Sequence, residues 1–192
     1  MNIFRRQFRY RFDSLVFYLI GINVLVFLAQ GLLNLTPFLA MTPWVVLRGW
    51  VWQFVTYMFA HGNWQHILFN MLGLFIFGIQ VERRMGSAEF LLYYLTTGIL
   101  AGIASFAVYL FTGDINAHLL GASGAIFAVE LAFAAYYPDA LIYIWGILPL
   151  RAPVMVLGYT ALEVVFSITG SQRGVAHLTH LFGFAAGWMY FL

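Results

Sequence analysis

Three groups of polar residues interrupt an otherwise apolar chain, and their residue types are those of a hydrolytic site. The groups are His61, His66 and Asn70; the run Gly121, Ala122, Ser123 and Gly124; and His177 with His180. A polar side chain in hydrocarbon is costly unless it is paired, so such residues mark either packing hydrogen bonds or function. A serine hydroxyl becomes a good nucleophile when a neighbouring base takes its proton, and a neutral imidazole is easier to bury than a carboxylate. Ser123 with a histidine base therefore predicts nucleophilic hydrolysis.

Such a reaction also needs hydrogen-bond donors for the oxyanion that develops on the substrate, each typically worth about 10²–10³ in rate. His66 and Asn70 lie four residues apart, on one face of a helix. With the backbone N–H of Ser123 they are the candidate donors. In the sequence no aspartate or glutamate is well placed to orient His180, so we expect a Ser–His dyad and not a triad.

The choice of His180 as the base depends on a stripe of small residues. Gly183 and Gly187 follow His180 on one helix face, and glycines at this spacing let membrane helices pack closely. His177 lies one turn nearer to water and is interpreted as a wall residue or a helper. His61 is expected to brace the loop before its helix.

The composition places this chemistry in a membrane. Of 192 residues, 63% are hydrophobic, 8% are charged and none is cysteine. Soluble domains have about 45–50% apolar and about 25% charged residues, so a soluble globule is excluded. A nucleic-acid-binding protein, a disordered chain and a disulfide scaffold are excluded as well. About 20 apolar residues are needed for each transmembrane helix.

The apolar runs predict an all-α membrane protein with a six-transmembrane-helix bundle over residues 14–192. Residues 1–13 carry four arginines and are predicted to be a cytoplasmic basic N-terminus. Residues 42–60, rich in tryptophan, are predicted to form a partly embedded loop or interfacial helix. Residues 140–153 are predicted to be a cytoplasmic re-entrant segment or loop. The predicted spans are 14–35, 63–81, 88–111, 120–137, 154–167 and 175–192.

The distribution of the nine arginines predicts the orientation. With both termini in the cytoplasm, only Arg48 and Arg173 fall outside, which is the bias of the positive-inside rule. In this topology His66, Ser123 and His180 all lie near the outer ends of their spans. We therefore expect them to share one site near the outer face.

Together, these motifs resemble the signatures of the rhomboid family of intramembrane serine proteases. The matching segments are His61-x4-His66-x3-Asn70, Gly121-x-Ser123-Gly124, His180-x2-Gly183-x3-Gly187 and Glu82-Arg83-Arg84-x-Gly86. The resemblance implies Ser123 as nucleophile, His180 as base, and an oxyanion site formed by His66, Asn70 and the Ser123 amide, with Gly121 shaping the pocket. It implies transmembrane protein substrates, contact with membrane lipid, no cofactor, and a bacterial inner membrane.

Two positions depart from the pattern of that family. Trp52 is followed by Gln53 where many bacterial members carry an arginine, which puts any anchoring by that arginine in doubt. Phe127 stands where relatives often carry tyrosine. A phenylalanine can still stack on His180, but the phenolic hydrogen bond is lost.

The same residues are also compatible with other functions. Taken alone, Ser123 would more often simply bond the carbonyl one turn back in its own helix. A non-catalytic rhomboid-like protein that binds membrane helices is the alternative, although such proteins typically lack the serine or the histidine. A proton-coupled transporter would use Glu130 and Glu163, for which structural roles are favoured. A metal site is rejected, because no His-Glu-x2-His pattern is present.

Overall fold

Helices dominate the chain in the computed structural model, which describes residues 14–144, 146–169 and 174–192, without the side chains of 174–176. The predicted basic segment 1–13 lies outside the described residues. The helices are α1 (Leu15–Leu33), α2 (Thr36–Leu39), α3 (Pro43–Val46), α4 (Gln53–Thr56), α5 (Trp64–Gly73), α6 (Ile79–Met85), α7 (Ser87–Thr112), α8 (Ser123–Tyr136), α9 (Ala152–Thr169) and α10 (Gly174–Met189). A 3₁₀ turn, Tyr57–Phe59, follows α4. A wide π-helical turn, Leu74–Gly78, joins α5 to α6.

Four helical segments of the described chain are long and apolar enough to cross a membrane. They are Leu15–Leu33, Trp64–Met85, Ser87–Thr112 and Ala152–Thr169. The apolar helix α8 has only 14 residues and is therefore about 21 Å long. The chain is thus a helical integral membrane protein. Four of the predicted spans overlap these segments, and the predicted spans 120–137 and 175–192 overlap the shorter helices α8 and α10.

A β-hairpin replaces the loop predicted for residues 140–153. Strands β1 (Leu141–Ile144) and β2 (Leu148–Arg151) pair antiparallel, with Leu141 opposite Arg151. Gly146, with φ of 72°, adopts the left-handed conformation in the turn between them. Short apolar runs do not distinguish a strand from a membrane segment, which is why the sequence did not predict this hairpin.

The segment between α1 and α5 consists of short helices held by buried polar groups. Gln53 is completely buried; its Oε1 accepts from the Thr42 amide at 3.0 Å, and its Nε2 donates to the Pro37 carbonyl at 3.1 Å. Met41 and Leu119 exchange two backbone hydrogen bonds of 2.9 Å. Gln53 therefore holds the segment between α1 and α5 together, and the Met41–Leu119 bonds join it to the residues that lead into α8.

Helix α8 is the most enclosed helix, and small residues bring α10 against it. Its Ala128 and Ala132 are fully buried. A Cβ atom at Gly183 would overlap the carbonyl oxygen of Gly124, and one at Gly187 would lie 3.0 Å from the Cβ of Ala128. The two backbones are therefore nearly in contact, which sets the distance between side chains on the facing turns of α8 and α10.

At the other end of the bundle, Glu82 joins the starts of two helices. Its carboxylate accepts from the amides of Leu15 and Val16 at 2.8 and 3.1 Å, and from the hydroxyl of Ser14. The hydroxyl of Ser87, at the start of α7, also donates to it at 2.6 Å. The first amides of a helix have no partner within the helix, so this carboxylate satisfies the start of α1.

Candidate active site

Ser123 and His180 meet between α8 and α10. The Ser123 Oγ lies 2.8 Å from Nε2 of His180, within hydrogen-bond distance. Ser123 is the first residue of α8 and His180 lies in the second turn of α10, and both side chains are half-buried. The close packing of the two helices at Gly183 thus brings a hydroxyl and an imidazole together.

Gly121 lets the ring of His66 come close to the backbone next to Ser123. A Cβ at this position would lie 2.6 Å from Nε2 of His66 and 3.7 Å from Oγ of Ser123, so a side chain here would displace the His66 ring. Gly121 also has a φ of 120°, and its amide donates to the Tyr57 carbonyl at 2.9 Å. Only glycine adopts this conformation easily and allows the imidazole to come this close. The groups predicted to act as nucleophile and oxyanion donor therefore both border Gly121.

The hydrogen bonds of His66 indicate which of its nitrogens carries the proton. The Gly62 amide points at Nδ1 of His66 over a long 3.4 Å, so Nδ1 is the acceptor. In a neutral imidazole the other nitrogen is then the donor. This Nε2 is the ring nitrogen of His66 nearest to Gly121. Asn63 accepts from the His66 amide at 2.8 Å and caps α5.

Asn70 lies one turn below His66 on the same helix and is buried. Its Nδ2 donates to the His66 carbonyl at 2.8 Å. A primary amide has two N–H donors, so this bond uses one and leaves the second.

His61 packs against His66. It is buried, its ring meets that of His66 edge-on at 5.1 Å, and its amide donates to Oε1 of Gln30 at 3.0 Å. Burial, with repulsion from His66 as the smaller cause, lowers the pKa of His61 to about 4. The His61 ring is therefore neutral near pH 7 and packs as an uncharged ring against His66.

The ring of Phe127 stacks on the imidazole of His180. Its ring is 4.3 Å from that of His180, with 7° between the planes. Phe184 meets Phe127 edge-on at 4.9 Å. The plane of the imidazole is therefore held by stacking, without a phenolic hydroxyl.

A carboxylate faces His180, which corrects the expectation that no acidic residue is placed to orient it. Oε1 of Glu163 lies 3.1 Å from Nδ1 of His180, and Oε2 lies 2.6 Å from Nδ1 of His177. Glu163 is on α9, and the rotation of one membrane helix against another is not encoded in residue spacing. One signal was available: Glu163 is six residues before the end of α9 and His180 six after the start of α10, so both lie at one depth.

The same three residues are also the metal-ligand candidates of the described chain. Ligand atoms of Glu163, His177 and His180 all lie within 4.8 Å of one another. Two imidazoles and a carboxylate form a set that zinc accepts. The absence of a metal, predicted from the sequence, stays a prediction.

Glu130 is another buried carboxylate within the bundle. It is buried on α8, seven residues after Ser123, and its Oε2 has no hydrogen-bond partner among the described residues. A Cβ at Gly73 would lie 3.7 Å from its Oε1. Glu130 therefore lies against α5, two turns below the serine.

Comparison with known proteins defines the family. The Rhomboid domain model matches residues 48–192, and the chain therefore belongs to the rhomboid family. It is 29% identical over 185 residues to Rhomboid-like protein 11, chloroplastic, of Arabidopsis thaliana, covering 90% of this chain and 62% of that protein. It is 29% identical over 144 residues to Putative rhomboid protease YdcA of Bacillus subtilis (75% and 67%). It is 31% identical over 169 residues to Rhomboid protease AarA of Providencia stuartii (80% and 59%). The chain thus spans about three fifths to two thirds of the length of these relatives.

Proposed function

We propose that this chain is an intramembrane serine endopeptidase that cleaves transmembrane segments of membrane proteins. Ser123 is the nucleophile and His180 the general base. The observation that carries the proposal is the 2.8 Å separation between the Ser123 hydroxyl and His180 Nε2 in a helical membrane protein of the rhomboid family. Relatives named rhomboid proteases, from Bacillus subtilis and Providencia stuartii, support the same activity.

The reaction follows from the positions of these groups. The Ser123 oxygen attacks the carbonyl carbon of the peptide bond while its proton passes to His180 Nε2. The oxyanion accepts hydrogen bonds from the Ser123 amide and from Nε2–H of His66, with the free N–H of Asn70 as a third donor. The imidazolium then protonates the leaving nitrogen as the C–N bond breaks. Water, deprotonated by the same imidazole, hydrolyses the acyl ester and restores the hydroxyl.

The length of α8 supports a reaction below the membrane surface. A helix of about 21 Å that ends at one face of a hydrocarbon core of about 30 Å begins about 10 Å below the other face. Ser123, at the start of α8, would then act inside the outer leaflet. A substrate helix must unwind there, because its peptide groups are hydrogen-bonded within the helix.

The proposal includes the topology expected from the sequence. Residues 14–192 form one domain with six membrane crossings, residues 1–13 and the C-terminus lie in the cytoplasm, and the membrane is a bacterial inner membrane. Transmembrane proteins and lipid are the partners, and the reaction as written uses no metal and no cofactor.

A fluorophosphonate probe tests the assignment of Ser123, because it modifies activated serines. We expect the purified protein to be labelled on Ser123 and to cleave a transmembrane substrate in proteoliposomes. Ser123→Ala should abolish both. Ser167→Ala, which removes an exposed hydroxyl on α9, is the matched control and should change neither. A folded protein that leaves Ser123 unmodified and the substrate intact would contradict the proposal and favour a non-catalytic protein that binds membrane helices.

A further inference from the structure

The carboxylate of Glu163 touches the one nitrogen of His180 that the proposed reaction does not use. We infer that Glu163 is a positioning residue that holds His180 in its basic tautomer and stabilises the imidazolium formed during the reaction. This inference rests on the proposed function and adds to it a third residue, contributed by α9. The evidence is the 3.1 Å separation between Glu163 Oε1 and His180 Nδ1.

The tautomer of His180 decides whether it can act as a base. Nε2 can take the serine proton only when it is unprotonated, so the proton of the neutral ring must be on Nδ1. This Nδ1 is buried and has no aligned hydrogen-bond acceptor among the described residues. Glu163 Oε1, at 3.1 Å, is within hydrogen-bond distance of it. A carboxylate at this position favours the tautomer in which Nε2 is free.

Glu163 is itself held in place. Its Oε2 lies 2.6 Å from His177 Nδ1, so the carboxylate bridges two imidazoles on consecutive turns of α10. The Glu163 side chain is only 13% exposed, whereas the buried residues of α9 are Ala152, Met155 and Val156, all near its start. Its side chain is therefore the polar link from the second half of α9 to α10. A side chain already held by His177 at one oxygen loses little further entropy in orienting His180 with the other.

The charges around the site make the carboxylate the natural counter-ion. His177 and His180 face it from α10, and His66 approaches His180 from α5. Glu130, from α8, is the other acidic group near enough to interact with Glu163. When His180 takes the serine proton, Glu163 is the only one of these groups that contacts the new positive charge and carries a negative one.

The experiment compares the same substitution at two intramembrane carboxylates. Glu163→Gln removes the charge at His180, and Glu130→Gln is the matched control two turns below the serine. Each variant is assayed in EDTA, which excludes an effect through a bound metal. The measurements are kcat and KM for a transmembrane substrate, the rate of fluorophosphonate labelling, the pH–rate profile and the melting temperature.

For Glu163→Gln we expect kcat and the labelling rate to fall about 10²–10⁴-fold with KM nearly unchanged. The pH–rate profile should change, because the carboxylate that contacts the imidazolium is gone. A merely structural role would lower the melting temperature and leave the profile unchanged. Glu130→Gln should keep the activity and the profile of the parent protein.

Two results would overturn the inference, and they are distinguishable. If the parent protein neither labels nor cleaves, the proposed function fails and this inference fails with it. If the parent is active and Glu163→Gln matches its kcat and pH profile, only the role of Glu163 is wrong. If Glu163→Gln does not fold, Glu163→Asp is tested in its place, because it keeps the negative charge but moves it away from Nδ1 of His180. The kcat of Glu163→Asp should fall at least tenfold, and an unchanged kcat would contradict the role of Glu163.

Discussion

The imidazole of His180 lies parallel to the ring of Phe127, 4.3 Å away and tilted by 7°. Three of its sides are thus defined: Phe127 covers one face, Ser123 lies at Nε2 and Glu163 at Nδ1. An imidazole that is stacked and bonded along its edge has one orientation. The proposed base is therefore oriented before a substrate arrives, which would lower the entropic part of the barrier.

Removing the aromatic ring of Phe127 should leave the orientation of His180 less well defined. Phe127→Leu keeps an apolar side chain in the half-buried position, so we expect the fold to be retained while kcat falls about ten- to hundredfold, because the ring of His180 is no longer held flat. Phe127→Tyr is the control that restores an aromatic face and should stay near the parent kcat. Equal turnover by the leucine variant and the parent would show that stacking is irrelevant to the reaction.

The oxyanion donors should differ in importance. His66→Ala removes the ring nitrogen nearest to Gly121 and should lower kcat about 10²–10³-fold. Asn70→Ala should lower it by about tenfold or more, because one of its N–H groups is already bonded to the His66 carbonyl. Steady-state kinetics with a transmembrane substrate measures both. Unchanged turnover in either variant removes that residue from the site.

Glycine-to-alanine substitutions should have opposite effects on stability at two helical positions. At Gly183 the new Cβ would overlap the Gly124 carbonyl, so α8 and α10 must separate and the protein should be strongly destabilised. At Gly158 nothing lies within 4 Å, so Gly158→Ala should stabilise α9 by up to about 1 kcal/mol. Melting temperatures in detergent measure the difference. Similar melting temperatures for the two variants would contradict the close packing.

His61 should make folding sensitive to acid. Its pKa is lowered to about 4, so the unfolded chain, with a histidine pKa near 6.5, takes up the proton more readily. Stability is therefore complete above about pH 6.5 and falls as the pH drops towards 4, by about 2 kcal/mol at pH 5. The drop in melting temperature between pH 7.5 and pH 5 should be smaller in His61→Asn. An identical drop in both proteins would exclude His61 as its cause.

The positions of helices were predictable because membrane-spanning segments are long and apolar. The predicted span 88–111 corresponds to Ser87–Thr112, and 154–167 to Ala152–Thr169. The predicted span 120–137 is longer than α8, because residues 120–122 continue the apolar run without being helical. The number of six crossings stays a prediction.

Contacts between helices were harder to predict than the helices. The Ser–His pairing was predictable because a shared depth and a glycine stripe restrict how α8 and α10 meet. Glu163 was missed because its rotation towards α10 depends on packing, not on spacing. Gln53 could be recognised as a departure from related proteins, but its role in fastening the loop depends on two backbone groups far from it in sequence.

The π-helical turn Leu74–Gly78 lets α5 and α6, the two halves of one helical segment, face different parts of the protein. A regular helix advances 100° per residue, whereas a π turn takes more residues to complete each revolution. A helical wheel drawn through residues 64–85 with uniform steps would therefore put its two ends out of phase. Because of this added rotation, His66 faces Gly121 and Ser123, whereas Glu82, sixteen residues later, faces the junction of α1 and α7.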